Sequence, residues 1–129
     1  MPRGVKKKKI LIIDPDAFLA GIYARRFEQG GFSVMVNESL KEAEKILREK
    51  NLDAILIDLE TVPEGLSFLK KIRSKLANDL ALIVLTKLGD KTMIDTAMQA
   101  GADAYLLKGH FVPSEVVEKV ERLVLRAQE

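Results

Sequence analysis

The sequence predicts an α/β fold: a doubly wound (βα)5 domain on a five-stranded parallel sheet of order 2-1-3-4-5. Three observations predict it. Strand-like apolar runs recur at regular intervals, and stretches of helical period lie between them. Three of the five runs are continuous rather than alternating, which suits parallel strands covered on both faces. Alternating β and α elements place helices on both sides of such a sheet, and right-handed crossovers leave 2-1-3-4-5 as the common five-strand order. At 129 residues there is room for one core and not for two.

The predicted strands are Ile10–Ile13, Ser33–Val36, Ala54–Ile57, Ala81–Leu85 and Ala104–Leu107. The first helix, over 16–29, places Leu19, Ile22, Tyr23 and Phe27 on one face and stops at Gly30-Gly31. Asp14-Pro15-Asp16 is a helix-start signature, with Asp14 as N-cap, Pro15 as first helical residue and Asp16 near the positive dipole end. The second helix opens on a capping box, Ser39 with Glu42, and turns Leu40, Ala43, Ile46 and Leu47 inward. The third runs from about Glu64 to Leu76 on Leu66, Leu69, Ile72 and Leu76. The fourth starts near Asp90 as N-cap and ends at Gly101, with Met93 and Met98 in or near the core. The fifth begins at Pro113 and buries Val116, Val120, Leu123 and Val124.

Residues 1–8 read as a basic leader before a single domain over 9–129. Arg3 and the four lysines Lys6, Lys7, Lys8 and Lys9 supply five of the 21 basic residues, leaving 16 against 19 acidic in the body. That balance argues against direct nucleic-acid binding, which favours a basic stripe on a folded face. No apolar run is long enough to span a bilayer, and the N-terminus lacks the apolar stretch of a secretory signal. With no cysteine, disulfides, thiolate catalysis and cysteine-based zinc sites are excluded. A cytoplasmic protein is expected.

In a sheet of this order, ligands bind beyond the carboxyl ends of the strands. Those ends carry Asp14 and Asp16, Asp58, Thr86 and Lys108. Three acids, a hydroxyl and an amine converging from four strand ends describe a phosphoryl-transfer site. Gathered carboxylates repel by about 4 kcal/mol per pair at 4 Å and an effective dielectric near 20. A Mg²⁺ ion relieves that repulsion through one or two carboxylates, waters and phosphate oxygens. A carboxylate can also act as nucleophile and form an acyl phosphate, with Lys108 and Thr86 answering the charge on the transferred group.

The stretches "KKILIIDPDAFL", "LDAILIDLETVPEG", "ALIVLTKLGDK" and "AGADAYLLKGHFVPSEVVEKV" resemble the receiver domain of two-component response regulators, a flavodoxin-like fold, over about residues 8–127. The resemblance implies that Asp58 is the phospho-acceptor, charged by a sensor histidine kinase, a phosphotransfer protein or a small phosphodonor. It implies that Asp14, Asp58 and the backbone carbonyl of Glu60 hold Mg²⁺, that Lys108 contacts the phosphoryl group, and that Thr86 and Tyr105 form the switch. The face of the fourth helix, fifth strand and fifth helix would signal to a downstream protein target, or pair two copies in a homodimer. Such a domain is a phospho-acceptor with self-catalysed phosphorylation and dephosphorylation, not an enzyme.

Three features depart from the family pattern. Pro15 stands where a second metal-binding acid is usual, the loop after Asp58 shifts its proline and glycine, and Gly109 replaces the customary proline after Lys108. Asp16, one residue further on, would reach the metal only through a water or by turning back. Two readings follow: a receiver phosphorylated on Asp58 with weakened Mg²⁺ binding, or a pseudo-receiver that binds a partner without phosphorylation. The first is preferred because Asp58, Thr86 and Lys108 occur together. A remote alternative is a D-x-D phosphatase of the haloacid-dehalogenase type, with Asp14 as nucleophile and Asp16 as acid/base. Phe18 stands where that motif wants a small hydroxyl residue. His110 reads as a solvated loop residue.

Overall fold

Five short segments pair side by side, and the three that are continuous apolar runs bury side chains on both faces of the pleat. The computed structural model describes residues 7–49, 51–59, 64–75, 80–87 and 89–127. The strands are β1 (Lys9–Ile13), β2 (Ser33–Asn37), β3 (Ala54–Ile57), β4 (Ala81–Thr86) and β5 (Ala104–Leu107). Between and after them run α1 (Ala17–Gln29), α2 (Leu40–Glu49), α3 (Glu64–Lys75), α4 (Lys91–Gln99) and α5 (Pro113–Ala127). All pairings are parallel and the order is β2-β1-β3-β4-β5, as expected.

Alternate strand residues build two apolar layers. On one face Ile10, Ile12, Leu56 and Ile83 meet Tyr23 and Phe27 of α1 and Val116, Val120 and Val124 of α5. On the other, Leu11, Ile13, Ile55, Ile57 and Val84 meet Ala43 of α2, Phe68, Leu69 and Ile72 of α3, and Ala97 of α4. Each large apolar side chain so buried contributes roughly 1.5–3 kcal/mol. Among the described residues, no helix is long and apolar enough to cross a membrane.

The helix ends follow the expected punctuation with one correction. Ser39 Oγ accepts from the Glu42 amide at 3.3 Å, and Asp90 accepts from the Met93 amide at 2.8 Å as the N-cap of α4. Helix α4 stops before Gly101, whose φ of +117° only glycine adopts freely. Helix α1, however, is capped by Asp16 and not Asp14: the Asp16 carboxylate accepts from the Leu19 amide at 3.0 Å. Asp14 still belongs to the sheet, its amide donating to Asn37 at 3.0 Å, so the helix begins two residues later than the Asp-Pro pattern suggests.

Two helix faces also differ from expectation. Ile22 of α1 and Met98 of α4 are exposed, and Ala20 and Ala97 take the buried places instead. A four-residue apolar stripe is wider than the contact a helix makes on a sheet, so its flanking members stay in solvent. Leu76 lies outside the described residues.

At the amino edge of the sheet, Arg73 of α3 donates to the Gly101 carbonyl at 3.0 Å, the Leu80 carbonyl at 3.1 Å and the Asp103 carboxylate at 2.8 Å. The same Asp103 oxygen accepts from the Leu82 amide at 2.8 Å. This network anchors α3 to the entry of β4 and to the α4–β5 turn.

Candidate functional site

The strand register assembles the site. Ile13 lies beside Ile57, so Asp14 and Asp58 leave neighbouring strands at the same level. The ladder continues one step beyond the strands: the Asp58 amide donates to the Ile13 carbonyl at 2.9 Å. Leu85 lies beside Leu106, and Lys108 follows two residues later on the same face, its amide donating to the Thr86 carbonyl at 2.9 Å. Alternation therefore sends Asp14, Asp58 and Lys108 to the α1/α5 side of the sheet. Thr86 and Tyr105, of the opposite parity, lie toward α4.

Lys108 joins the two acids. Its ammonium donates to Asp14 Oδ2 at 2.8 Å and to Asp58 Oδ2 in a short contact. The Lys108 and Asp14 side chains are each 5% exposed and that of Asp58 is fully buried, so these charges meet away from bulk water. Burial works against the charge on Lys108, but hydrogen bonds to Asp14 and Asp58, with their negative charges, outweigh it and hold the pKa above the ordinary lysine range. The second oxygen of Asp14 accepts from the Asp16 amide at 2.8 Å, closing a turn around Pro15. Gly109, at φ +89°, makes the bend after Lys108 that proline would otherwise shape.

Thr86 is fully buried at the end of β4. Tyr105 is half-buried beside it; burial raises its phenol pKa first, and the negative charges of Asp90 and Asp58 add to the rise. Asp90 is the cap of α4 and Asp58 one of the paired acids. Asp16 does not join the cluster, because its carboxylate is committed to capping α1. Glu60 lies outside the described residues. His110 is exposed in the β5–α5 loop.

Two buried carboxylates side by side, with a cation already between them, are a donor set that fits Mg²⁺. Among the described residues no group of three or more acidic or imidazole side chains is placed to hold a metal, so the site offers two carboxylates, not three. Tyr23 lies in the core as its place on the apolar face of α1 predicts, 4% exposed. Burial raises its phenol pKa first, the Lys108 charge lowers it and the Asp14 charge raises it.

The family model described as the response regulator receiver domain matches residues 10–121. The transcriptional regulatory protein PrrA of Mycobacterium tuberculosis is 31% identical over 127 residues, covering 98% of this chain and 54% of that protein. The chain thus spans about half the length of the curated relatives it matches. Among solved structures, the Francisella response regulator 1452 receiver domain is 30% identical with a TM-score of 0.83, covering 93% of this chain and 98% of that one. A response regulator from Burkholderia pseudomallei, solved with a phosphorylated aspartic acid, calcium ion and citrate, is 28% identical with a TM-score of 0.76. It aligns over 90% of this chain and 72% of its own. With the fold of this family and its model matching residues 10–121, the chain belongs to the response regulator receiver domains of two-component signalling.

Proposed function

We propose that this receiver domain is phosphorylated on Asp58 by a sensor histidine kinase or a phosphotransfer protein. The observation that carries the reading is the single ammonium of Lys108 shared by the buried carboxylates of Asp14 and Asp58. An oxygen of Asp58 attacks the phosphorus of a phosphohistidine, the P–N bond breaks, and the imidazole leaves with the electron pair and takes up a proton. The product is an acyl phosphate. Lys108 turns from the carboxylates to the phosphoryl oxygens, and the Thr86 hydroxyl moves toward them with Tyr105 following. A Mg²⁺ ion on Asp14, Asp58 and the Glu60 carbonyl would neutralise charge on the incoming group. The phosphorylated aspartic acid and calcium ion of the Burkholderia protein support this chemistry.

The domain acts as a stoichiometric, self-dephosphorylating acceptor rather than a turnover enzyme. Its output runs through α4, β5 and α5 to a protein target in the cytoplasm, or to a second copy. Pro15 and the engaged Asp16 point to weakened Mg²⁺ binding, the feature a pseudo-receiver reading would use. The joint presence of Asp58, Lys108 and Thr86 supports phosphorylation instead. Incubation with a small phosphodonor and Mg²⁺ tests the proposal: one phosphoryl group is expected on wild-type protein and none on Asp58→Asn.

A further inference from the structure

We propose that Gly89 and Leu107 form a latch that positions Thr86: the link between β4 and α4 rests on Leu107 while Asp58 is unmodified, and a phosphoryl group on Asp58 pulls it free. The inference rests on the phosphorylation reading above and adds the contact against which Thr86 moves.

The register sets Leu107 beside Thr86. The two residues pair as the last of β5 and β4, and strands in a sheet lie about 4.8 Å apart. Paired residues point to the same face, so Leu107 lies with Thr86 and Tyr105 toward α4. After Thr86 the chain has four residues, 87–90, before α4 begins at Lys91, and Asp90 caps that helix. In this short link Gly89 comes down on Leu107. A methyl in place of the Gly89 hydrogen would lie 2.5 Å from Leu107 Cδ2, 3.1 Å from Cδ1 and 3.3 Å from Cγ. Carbon atoms in contact stand about 3.5–4.0 Å apart, so no side chain fits at 89 with Leu107 in its place.

The close approach, not the backbone, is what requires glycine. Among the described residues the glycines with positive φ are Gly31, Gly101 and Gly109, and Gly89 is not one of them. Alanine at 89 would therefore be unstrained but for Leu107. A turn about the leucine's last bond does not clear the space. Its two methyls fill two of three staggered positions, so each rotamer leaves at least one methyl in a crowded place.

Topology turns the contact into resistance. In the order β3-β4-β5, Asp58 follows β3 on one side of β4, and Leu107 belongs to β5 on the other. A pull on Thr86 toward Asp58 is thus a pull away from Leu107, on a chain pinned there three residues later. Loosening the latch favours the pulled state and tightens binding of the group that does the pulling.

Beryllofluoride with Mg²⁺ serves as the phosphoryl mimic, and the amide NMR shift of Thr86 reads its binding. The wild type, Gly89→Ala, Leu107→Ala and the double variant are compared. Gly89→Ala is expected to tighten binding about tenfold, because the added methyl lifts the link off Leu107. Leu107→Ala is expected to tighten it as well, by removing the side chain on which the link rests. In the Leu107→Ala background, Gly89→Ala is expected to change nothing further, since the atoms it meets are gone. A merely structural defect weakens binding and does not vanish with one leucine. Unchanged or weaker binding in Gly89→Ala, or an equal effect with and without Leu107, would overturn the latch and leave phosphorylation on Asp58 standing. If the wild type does not bind beryllofluoride, both fail. Should Gly89→Ala not fold, Leu107→Ala decides: tighter binding upholds the latch and unchanged or weaker binding overturns it.

Discussion

Asp14 follows β1, shares the Lys108 ammonium with Asp58 and closes the turn around Pro15 with its other oxygen. Pro15 itself brings no carboxylate, and Asp16 is spent on the helix. The acid deficit is therefore real at the level of single side chains. Pro15→Asp is expected to tighten Mg²⁺ binding on the order of tenfold, about 1.4 kcal/mol, in a calorimetric titration. An unchanged affinity would mean another group already supplies the missing oxygen. A divalent cation held as proposed would compete with Lys108 for the same two carboxylates. Lys108→Met is accordingly expected to cost stability in metal-free buffer, on the order of 3 kcal/mol in urea melts, because it takes from two buried acids the cation that balances their charge. Added Mg²⁺ should restore part of that loss, and a melt insensitive to Mg²⁺ would contradict the shared-site picture.

At the scale of elements, much was legible from local pattern. The apolar runs of β1, β3 and β4 announced strands buried on both faces, and Asp90 and Pro113 marked the starts of α4 and α5. The start of α1 was not legible. Asp14 and Asp16 are both good caps by type, and the choice is made by a lysine 94 residues away that claims Asp14. The Arg73 network was equally invisible, since its partners, Leu80, Gly101 and Asp103, come together only when α3 packs against the β4 and β5 ends. Asp16→Ala separates capping from metal binding. It is expected to cost about 1 kcal/mol of stability and to leave Mg²⁺ affinity unchanged. A clear loss of affinity would return Asp16 to the metal site.

For the whole molecule, the sheet is an instrument for bringing four distant strand ends to one edge while the apolar layers beneath hold them in register. The candidate acids, lysine and threonine were legible as strand-end residues, because the order 2-1-3-4-5 fixes which ends adjoin. Linkage gives the fold a pH signature. Lys108, Tyr23 and Tyr105 all have folded-state pKa values raised above their ordinary ones, so the folded chain keeps protons that the unfolded chain releases. Their contribution is fully present below about pH 10 and is lost as pH rises through the folded values. Urea melts should therefore show stability falling above about pH 10, with a shallower fall in Lys108→Met. Equal slopes would remove Lys108 from the account.

Whether the buried Asp14–Lys108–Asp58 arrangement serves phosphoryl transfer to Asp58, as proposed, is decided by intact-mass analysis after treatment with a small phosphodonor at millimolar Mg²⁺. A single phosphoryl adduct is expected, absent in Asp58→Asn and lost on chelation of the metal. Wild-type protein that stays unmodified under those conditions would contradict it.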